Sequence, residues 1–514
     1  MENRNAHGGG TWLRWSLGVI VLLMPGCMVG PDFHAPKTCV PSQWSGMPGP
    51  SAVDAASIAV QEPITMVCWW ETFNDAVLTT LVQRALRSSP DLRLAGARIR
   101  QARAARGAGL ASLGPTVDAG SDYRRSGSGG NSSGDNIGGG SGGREQDLFQ
   151  VGLDSSWELD FFGGTRRNVE ALDAEVRSSV EDRRDVLVTL MADVAVNYMN
   201  LRGLQTRLAI ARRNLEAQKR TAAITRKRFE AGFASGLDQA SADGQAATTA
   251  SEIPRLESAA REAVFNISVL LGEEPTTLAK ELEVENPLPV TPPRVPVGLP
   301  SEIIRRRPDI RRAEAEVHAA TARIGVAAAE LFPKFSLTGS LGYSSADLAS
   351  LVTPATQAWS IGPSVTWRIF DSGRIRWSIE EQKAMQEQTL VEYEKTVLTA
   401  LRDVEAALQA YAREQERRRL LEEAVKNNGR AVELAMELYT SGETDFLNVL
   451  TAQRSLYVSQ EALALSLQNV NTSLIALYKA LGGGWEMEEL SSLTGKSSGF
   501  SIRQGMPPDL SASR

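Results

Sequence analysis

Between Leu331 and Phe370 apolar and polar side chains alternate. Phe335, Leu337, Leu341 and Tyr343 fall on odd positions, with Ser336, Thr338, Ser340 and Gly342 between them. After a loop, Trp359, Ile361, Val365, Trp367 and Ile369 do the same against Ser360, Ser364, Thr366 and Arg368. A period of two predicts strands near 334–343 and 359–369, each with one apolar and one polar face. Aromatic residues near the ends of the apolar face suit a hairpin of a membrane barrel, although a soluble hairpin shows the same alternation. Earlier in the chain the pattern recurs: 116–123 is strand-like, and Phe149, Val151, Leu153, Trp157 and Leu159 alternate over 149–159. Between these two strands Arg125–Gly143 is almost pure Gly, Ser and Asn, which predicts a flexible loop.

Elsewhere the period is helical. It begins near Asp75 and pauses at Ser88-Ser-Pro-Asp91, where Pro precedes an acidic first turn. An Ala/Arg-rich helix then runs to about Ser112, and Pro115 ends it. The Phe161-Phe-Gly-Gly164 turn leads into a long helix over 165–231, ~100 Å if continuous. Its stripe, Leu187, Leu190, Val194, Asn197, Leu201, Leu204 and Leu208, steps by three and four. Gly232 and Gly236 break it, and a return helix spans 237–271. A second long helix over 373–440 carries Val397, Leu401, Val404, Leu408 and Tyr411, and its return helix spans 446–481.

The chain is a repeat. Pro90-Asp91 matches Pro308-Asp309, Gly107 matches Gly325 and Pro115 matches Pro333, each offset by 218. Past the strands the offset is 210: Gly152/Gly362, Trp157/Trp367, Gly163/Gly373, Gly232/Gly442, Leu237/Leu447 and Gly272/Gly482. The difference arises between the paired strands, where the Gly/Ser-rich loop is the longer of the two. A register held for over a hundred residues defines repeat 1 (75–272) and repeat 2 (301–482), joined by a linker over 273–300. Each half reads short helix, strand, loop, strand, very long helix, sharp turn, shorter helix. Two strands per half make four per chain, while a closed membrane barrel needs at least about eight. One chain therefore leaves sheet edges open and has to oligomerise; three copies supply twelve strands.

Composition changes the picture mainly at the N-terminus. Arg4 and Arg14 precede the apolar run Trp15–Met24, followed by Pro25-Gly26-Cys27. The run is too short for a permanent span and reads as a signal peptide over 1–26. Glycine directly before Cys27 resembles a bacterial lipobox, making Cys27 the lipidated first residue of the mature chain; the alternative is ordinary cleavage. A Pro/Ser/Gly-rich linker follows, within 27–74. With no other segment near 18 consecutive apolar residues, membrane insertion has to be by strands. Export places Cys39 and Cys68 in an oxidising compartment, where they can pair if the fold brings them close. A net charge of −6 offers no basic patch for nucleic acid. Residues 483–514 show no period and read as a disordered tail.

Catalysis finds no support. The chain has three histidines: His7 leaves with the signal, His34 lies in the linker and His318 on an Ala-rich helix. None has a nucleophile or metal-ligand partner at a telling spacing. Asp and Glu are plentiful but sit in charge-patterned helical runs such as Arg413–Arg419, which are normally solvated or paired. The sequence implies no enzyme, no metal and no cofactor beyond covalent lipid (palmitate) on Cys27. The Gly/Ser loop lacks the Lys-Ser/Thr of a P-loop.

Several stretches together resemble one family: Cys27-Met-Val-Gly-Pro-Asp-Phe33, Trp69-Trp-Glu-Thr-Phe73, Gly298-Leu-Pro-Ser-Glu-Ile-Ile-Arg-Arg-Arg-Pro-Asp309, Leu331-Phe-Pro-Lys-Phe335 and Trp367-Arg-Ile-Phe-Asp-Ser-Gly373. Over about 27–484 the chain resembles the outer-membrane factor (TolC-like) family, and within it the lipidated NodT-type efflux channels. The resemblance implies an α+β fold: a homotrimer with a 12-stranded outer-membrane β-barrel, continuous with a long periplasmic α-helical barrel. It implies a passive exit channel for drugs or other small toxic compounds, partnered by a periplasmic adaptor (membrane fusion protein) and an inner-membrane transporter, RND or MFS rather than ABC. The location implied is the cell outer membrane, lipid-anchored and barrel-inserted, extending into the periplasm.

The same resemblance assigns the sites. The turns at Gly232, Gly236 and Gly442 would meet the adaptor and close the tunnel, although such glycines are also ordinary helix C-caps. A cation-sensitive gate needs acids ringed around an axis, and Asp238, Glu443 and Asp445 are placed for it. Relatives commonly carry acids one and two turns further on, where this chain has Asn448 and Thr451. A tip Arg that pairs with the Asp aligned to Asp238 in some relatives is Thr444 here; Arg228 and Arg454 lie nearby in sequence. The plain alternative is that these acids are solvated surface charges. Trp157, Phe335, Tyr343, Trp359 and Trp367 are read as the lipid-facing aromatic band. Competing functions are a type I protein-secretion duct and, from another class, a pore-less coiled-coil lipoprotein tethered through Cys27.

Overall fold

Alternation along the chain becomes a two-sided sheet, and the long periodic runs become uninterrupted helices. The computed structural model describes residues 28–38, 40–45, 58–60, 67–128, 144–292 and 294–486. In chain order the elements are β1 (Ile58–Val60), a short 3-10 turn at Trp69–Phe73, α1 (Ala76–Ser88), α2 (Pro90–Ala111), β2 (Thr116–Ser128) and β3 (Arg144–Leu159). Then come α3 (Gly164–Glu230), α4 (Gly236–Leu271), α5 (Ala279–Leu282), β4 (Arg294–Pro296), α6 (Pro300–Arg306) and α7 (Pro308–Ala329). The chain continues with β5 (Lys334–Ser345), β6 (Gln357–Thr366), α8 (Arg374–Ser441) and α9 (Phe446–Ala480). The chain divides into two units, one of Met1–Lys37, Ile99–Ser179 and Ala313–Tyr393, the other of Thr38–Arg98, Val180–Arg312 and Glu394–Arg514.

The first unit holds the four-stranded antiparallel sheet, in the order β2-β3-β5-β6. Ala119 faces Leu153, Leu153 faces Leu341, and Leu341 faces Trp359, so odd positions meet odd positions at every junction. Because side chains alternate faces, all four apolar sets therefore share one side. Down the middle of the sheet Gly152 and Gly342 are paired. A Cβ on Gly342 would lie 2.7 Å from the Val151 carbonyl oxygen, so the close approach of the two backbones needs glycine there. β6 stops at Thr366, so Trp367 and Ile369, which alternate with the strand, lie just beyond it.

The second unit is built on an aromatic and aliphatic core. Trp69 meets Tyr478 at a tilt (centroids 5.2 Å apart) and Trp70 edge-on at 5.9 Å. Leu78, Leu81 and Val82 on α1 are wholly buried. Helix α1 starts where it does because the Asp75 carboxylate accepts from Val77 N (2.8 Å) and Leu78 N (2.9 Å), satisfying two orphan amides. The other Asp75 oxygen accepts from the Tyr198 hydroxyl at 2.8 Å. Burial and that carboxylate push the phenol's pKa up. Arg202 is fully buried and donates to Gln205 Oε1 (2.6 Å) and the Val284 carbonyl (2.7 Å). Gln205 in turn donates to the Leu282 carbonyl at 2.8 Å. Those bonds fix the segment between the repeats onto α3.

Parts of two stretches that lack any period, around Trp44 and Trp485, are ordered. Trp44, in the Pro/Ser/Gly-rich linker, is buried and donates from its indole to the Gly298 carbonyl at 3.1 Å. Trp485, at the start of the stretch read as a disordered tail, is 6% exposed. Its indole donates to the Arg306 carbonyl, and the Arg184 guanidinium lies 4.5 Å from its ring centroid. The tail reading is corrected for 483–486: an aromatic residue that finds a cation and a carbonyl partner orders the chain around it. The signal peptide, Cys27, Cys39 (and with it the Cys39–Cys68 pairing), most of the Gly/Ser loop and residues 487–514 lie outside the described residues.

Candidate functional site

Two places carry the functional candidates: the apolar face of the sheet, and the turns that join each long helix to its return helix. On the sheet, Trp157 is 37% exposed, Trp359 72% and Trp367 55%, while Phe335 and Tyr343 are half-buried. A soluble sheet would cover such a face. Trp157 donates from its indole to the Leu113 carbonyl at 2.8 Å, and Trp367 donates to Leu331 at 3.1 Å. Phe335 meets Phe161 edge-on at 5.1 Å, and Phe162 stacks on Phe332 at 4.6 Å. The opposite face carries Asp118, Asp122, Asp154, Ser156, Ser340, Ser360 and Ser364. Among the described residues no helix is long and apolar enough to cross a membrane.

At the turns the repeat holds bond by bond. Helix α3 ends with Phe233 N donating to Arg228 O (2.7 Å) and Gly232 N to Phe229 O (2.9 Å). Helix α8 ends with Glu443 N donating to Leu438 O (2.8 Å) and Gly442 N to Tyr439 O (3.2 Å). Gly232 (φ 79°) and Gly442 (φ 84°) are both left-handed, the backbone such a cap requires. The next helices are capped differently. Before α4, Ser235 Oγ accepts from Asp238 N (3.2 Å) and Asp238 Oδ2 accepts from Ser235 N (2.9 Å), a reciprocal capping box. Before α9, Asp445 Oδ1 accepts from Asn448 N (3.3 Å), and Asn448 Nδ2 donates to Thr444 Oγ1 at 2.6 Å.

Two of the three tip acids, Asp238 and Asp445, thus have a local structural task. Among the described residues Asp238, Glu443 and Asp445 form no salt bridge, and Glu443 and Asp445 are exposed. Thr451 donates to the Leu447 carbonyl at 2.8 Å within its own helix, and Gly236 is the first residue of α4. Arg228, near in sequence to these acids, turns instead to α8. Its guanidinium lies 4.8 Å from the Tyr439 ring centroid and donates to the Thr440 carbonyl at 3.3 Å. Behind it Ala222, Ala242, Tyr439, Phe446 and Val449 form a small buried cluster that ties the two turns together.

One feature escapes sequence reasoning. Arg167, with a side chain only 3% exposed, holds residues 29–32 against the strand–helix junction. It donates to Val29 O (3.2 Å), Gly30 O (3.4 Å) and the Asp32 carboxylate (2.7 Å). That guanidinium holds the Asp32 carboxyl below its usual pKa. Val29 N donates to Phe162 O at 3.1 Å, and Phe33 stacks on His318 at 4.3 Å. His318 also meets Glu170 at 3.0 Å. The histidine's partners are thus a ring and a carboxylate remote in sequence.

A sheet with one exposed apolar face, followed in each half of the chain by a very long helix that ends in a glycine-capped turn, defines a channel component inserted in a membrane by its strands. The profile of the outer membrane efflux protein family matches residues 81–273 and 299–483. The chain is 32% identical over 485 residues to nodulation protein T of Rhizobium leguminosarum bv. viciae, covering 93% of this chain and 95% of the relative. It is 33% identical over 471 residues to the antibiotic efflux pump outer membrane protein ArpC of Pseudomonas putida, covering 91% of this chain and 95% of that one. Its structure superposes on the outer-membrane channel OprN with a TM-score of 0.80 at 35% identity, over 90% of this chain and 100% of that one. The Campylobacter jejuni CmeC channel gives 0.80 at 23% identity, over 91% and 98%, a likeness of fold. The chain belongs to the outer membrane efflux protein family. It has the α+β, TolC-like fold of these channels, resides in the outer membrane and serves efflux as an exit channel, a transport role and not an enzymatic one.

Proposed function

We propose that three copies of this chain close a 12-stranded barrel and form the outer-membrane duct of a tripartite pump for drugs or other small toxic compounds. The observation that carries this reading is the sheet: four strands, one continuous exposed apolar face and, among the described residues, an unpaired edge at both β2 and β6. Lipid replaces water on that face, and neighbouring copies satisfy the edges. Cys27 carries the acyl chains, two residues before Val29, the first residue that Arg167 clamps to the strand–helix junction.

The turns at Gly232, Gly236 and Gly442 receive a periplasmic adaptor, which links the duct to an inner-membrane transporter of RND or MFS type. Threefold repetition brings Asp238, Glu443 and Asp445 into rings with Asn448 and Thr451 one and two turns deeper. Like charges gathered in a ring attract cations, and multivalent cations seated between them hold the tips together. Trp157, Phe335, Tyr343, Trp359 and Trp367 face lipid. The reading is tested in a bacterial host lacking its own channel, with a matching adaptor and transporter supplied. Restored dye extrusion dependent on this chain supports it. Full-length trimers in the outer membrane without extrusion, with several adaptor–transporter pairs, count against it.

A further inference from the structure

The free sheet edges carry a more specific relationship, which rests on the reading that copies of this chain close a barrel. Thr116, the first residue of β2, faces Ser156, so Trp157, Glu158 and Leu159 extend past β2. They remain strand because β5 pairs with them: Trp157 with Leu337, Glu158 with Ser336 and Leu159 with Phe335. Their repeat equivalents, 210 residues on, are Trp367, Arg368 and Ile369. β5 begins at Lys334, opposite Thr366, so it cannot reach these residues, and on their other side no strand lies among the described residues. They are irregular and exposed, with Ile369 at 83%. Three residues that alternate as a strand, with a repeat counterpart that is one, lack only a partner.

The repeat says which partner and in what register. The β3–β5 junction joins the second strand of one half to the first strand of the other. The same operation applied to β6 adds 210 to the β3 member, and applied to β2 subtracts 218 from the β5 member. It sets Ile369 opposite Val117, Arg368 opposite Asp118, Trp367 opposite Ala119 and Val365 opposite Ser121. Odd positions again meet odd, so the apolar face continues unbroken across the junction.

Charge supplies an independent argument. Within the chain Asp118 lies directly opposite Asp154 on the polar face. Like charges facing across strands are unfavourable, and among the described residues neither carboxylate has an ion-pair partner. Arg368 of a second copy arrives on the other side of Asp118, while its repeat counterpart at the intrachain junction is Glu158 facing an uncharged serine. We propose that the junction between copies is β6 against β2 in this register, with Arg368 of one copy seated on the Asp118–Asp154 carboxylates of the next. The ion pair marks the junction between copies and distinguishes it from the one within each chain.

The test uses the full-length protein carrying Cys39→Ser and Cys68→Ser. Directly opposed strand residues lie within disulfide reach, and positions two residues away on the same face lie at ~7–8 Å, beyond it. Oxidation of the Val365→Cys/Ser121→Cys protein is expected to give a reducible ladder ending at a covalent trimer. Val365→Cys with Ala119→Cys, or with Tyr123→Cys, is expected to stay mostly monomeric in denaturing gels. Arg368→Asp is expected to lower the temperature at which trimers survive detergent, and adding Asp118→Arg to restore it. Efficient cross-linking of an offset pair overturns the register. Trimers unaffected by Arg368→Asp but weakened by a chelator overturn the ion pair and assign the carboxylates to a metal ion. Normal trimers with no cross-link in any pair overturn the junction while leaving the channel intact; absence of trimers in the parent protein overturns the channel reading itself.

Discussion

The indole N–H of Trp367 donates to the carbonyl oxygen of Leu331 at 3.1 Å, and 210 and 218 residues earlier Trp157 does the same to Leu113 at 2.8 Å. The first bond pins the chain just past the end of β6, and the second pins the end of β3, each to the segment that leaves the preceding short helix. Replacing either tryptophan by phenylalanine keeps the apolar surface and leaves a carbonyl without its donor. A net loss of ~1 kcal/mol per site is expected, read as a lower melting temperature in detergent, with the double variant roughly additive.

The glycine turns give a second expectation. Gly442→Ala forces a side chain into a left-handed backbone, although nothing lies within 4 Å to clash with it. The cost is therefore conformational, ~1 kcal/mol, and confined to the turn. Hydrogen exchange should speed up around residues 438–446 and stay unchanged in the sheet.

Caps at the same turns separate structural from electrostatic roles. Ser235→Ala removes one half of the capping box and should cost ~1 kcal/mol locally without changing charge. Asp238→Asn keeps an acceptor for Ser235 N while removing the charge, so its effect on folding should be smaller. Any large effect of Asp238→Asn on conductance would then be electrostatic.

The clamp on the N-terminal segment has a pH dependence of definite sign. Asp32 has its pKa lowered in the folded protein by hydrogen bonding and attraction to Arg167. A depressed carboxyl stabilises the docked segment above its unfolded pKa, ~3.9, and that contribution fades as pH falls through the folded value. Protection of residues 28–33 from proteolysis should therefore hold from pH 8 to 5 and weaken below about pH 4. Arg167→Ala should abolish protection at every pH.

Why these features differ in legibility is a matter of distance along the chain. The apolar parity of Leu153, Leu341 and Trp359, and the placement of Gly232 and Gly442, follow from local rules of alternation and capping, and the fold class follows with them. The clamp does not: Arg167 and Asp32 are 135 residues apart, and an arginine in a helix of many arginines carries no mark of being buried. His318 looks unpartnered in sequence because Phe33 and Glu170 reach it only in the fold. Trp44 and Trp485 sit in stretches without period, where tertiary contacts alone create order. At the tips, acidic residues were legible as a charge cluster, while the capping by Asp238 and Asp445 shows only in their hydrogen bonds.

Single-channel conductance of the purified full-length protein in planar bilayers, with oligomer mass measured on the same sample, decides whether the trimer is a gated duct. Trimers with small, long-lived conductances that divalent cations suppress are expected, with relief of that suppression when Asp238, Glu443 and Asp445 are replaced together by Asn, Gln and Asn. Trimers whose conductance ignores both cations and these substitutions would contradict the gate. A monomer with no conductance would contradict the duct.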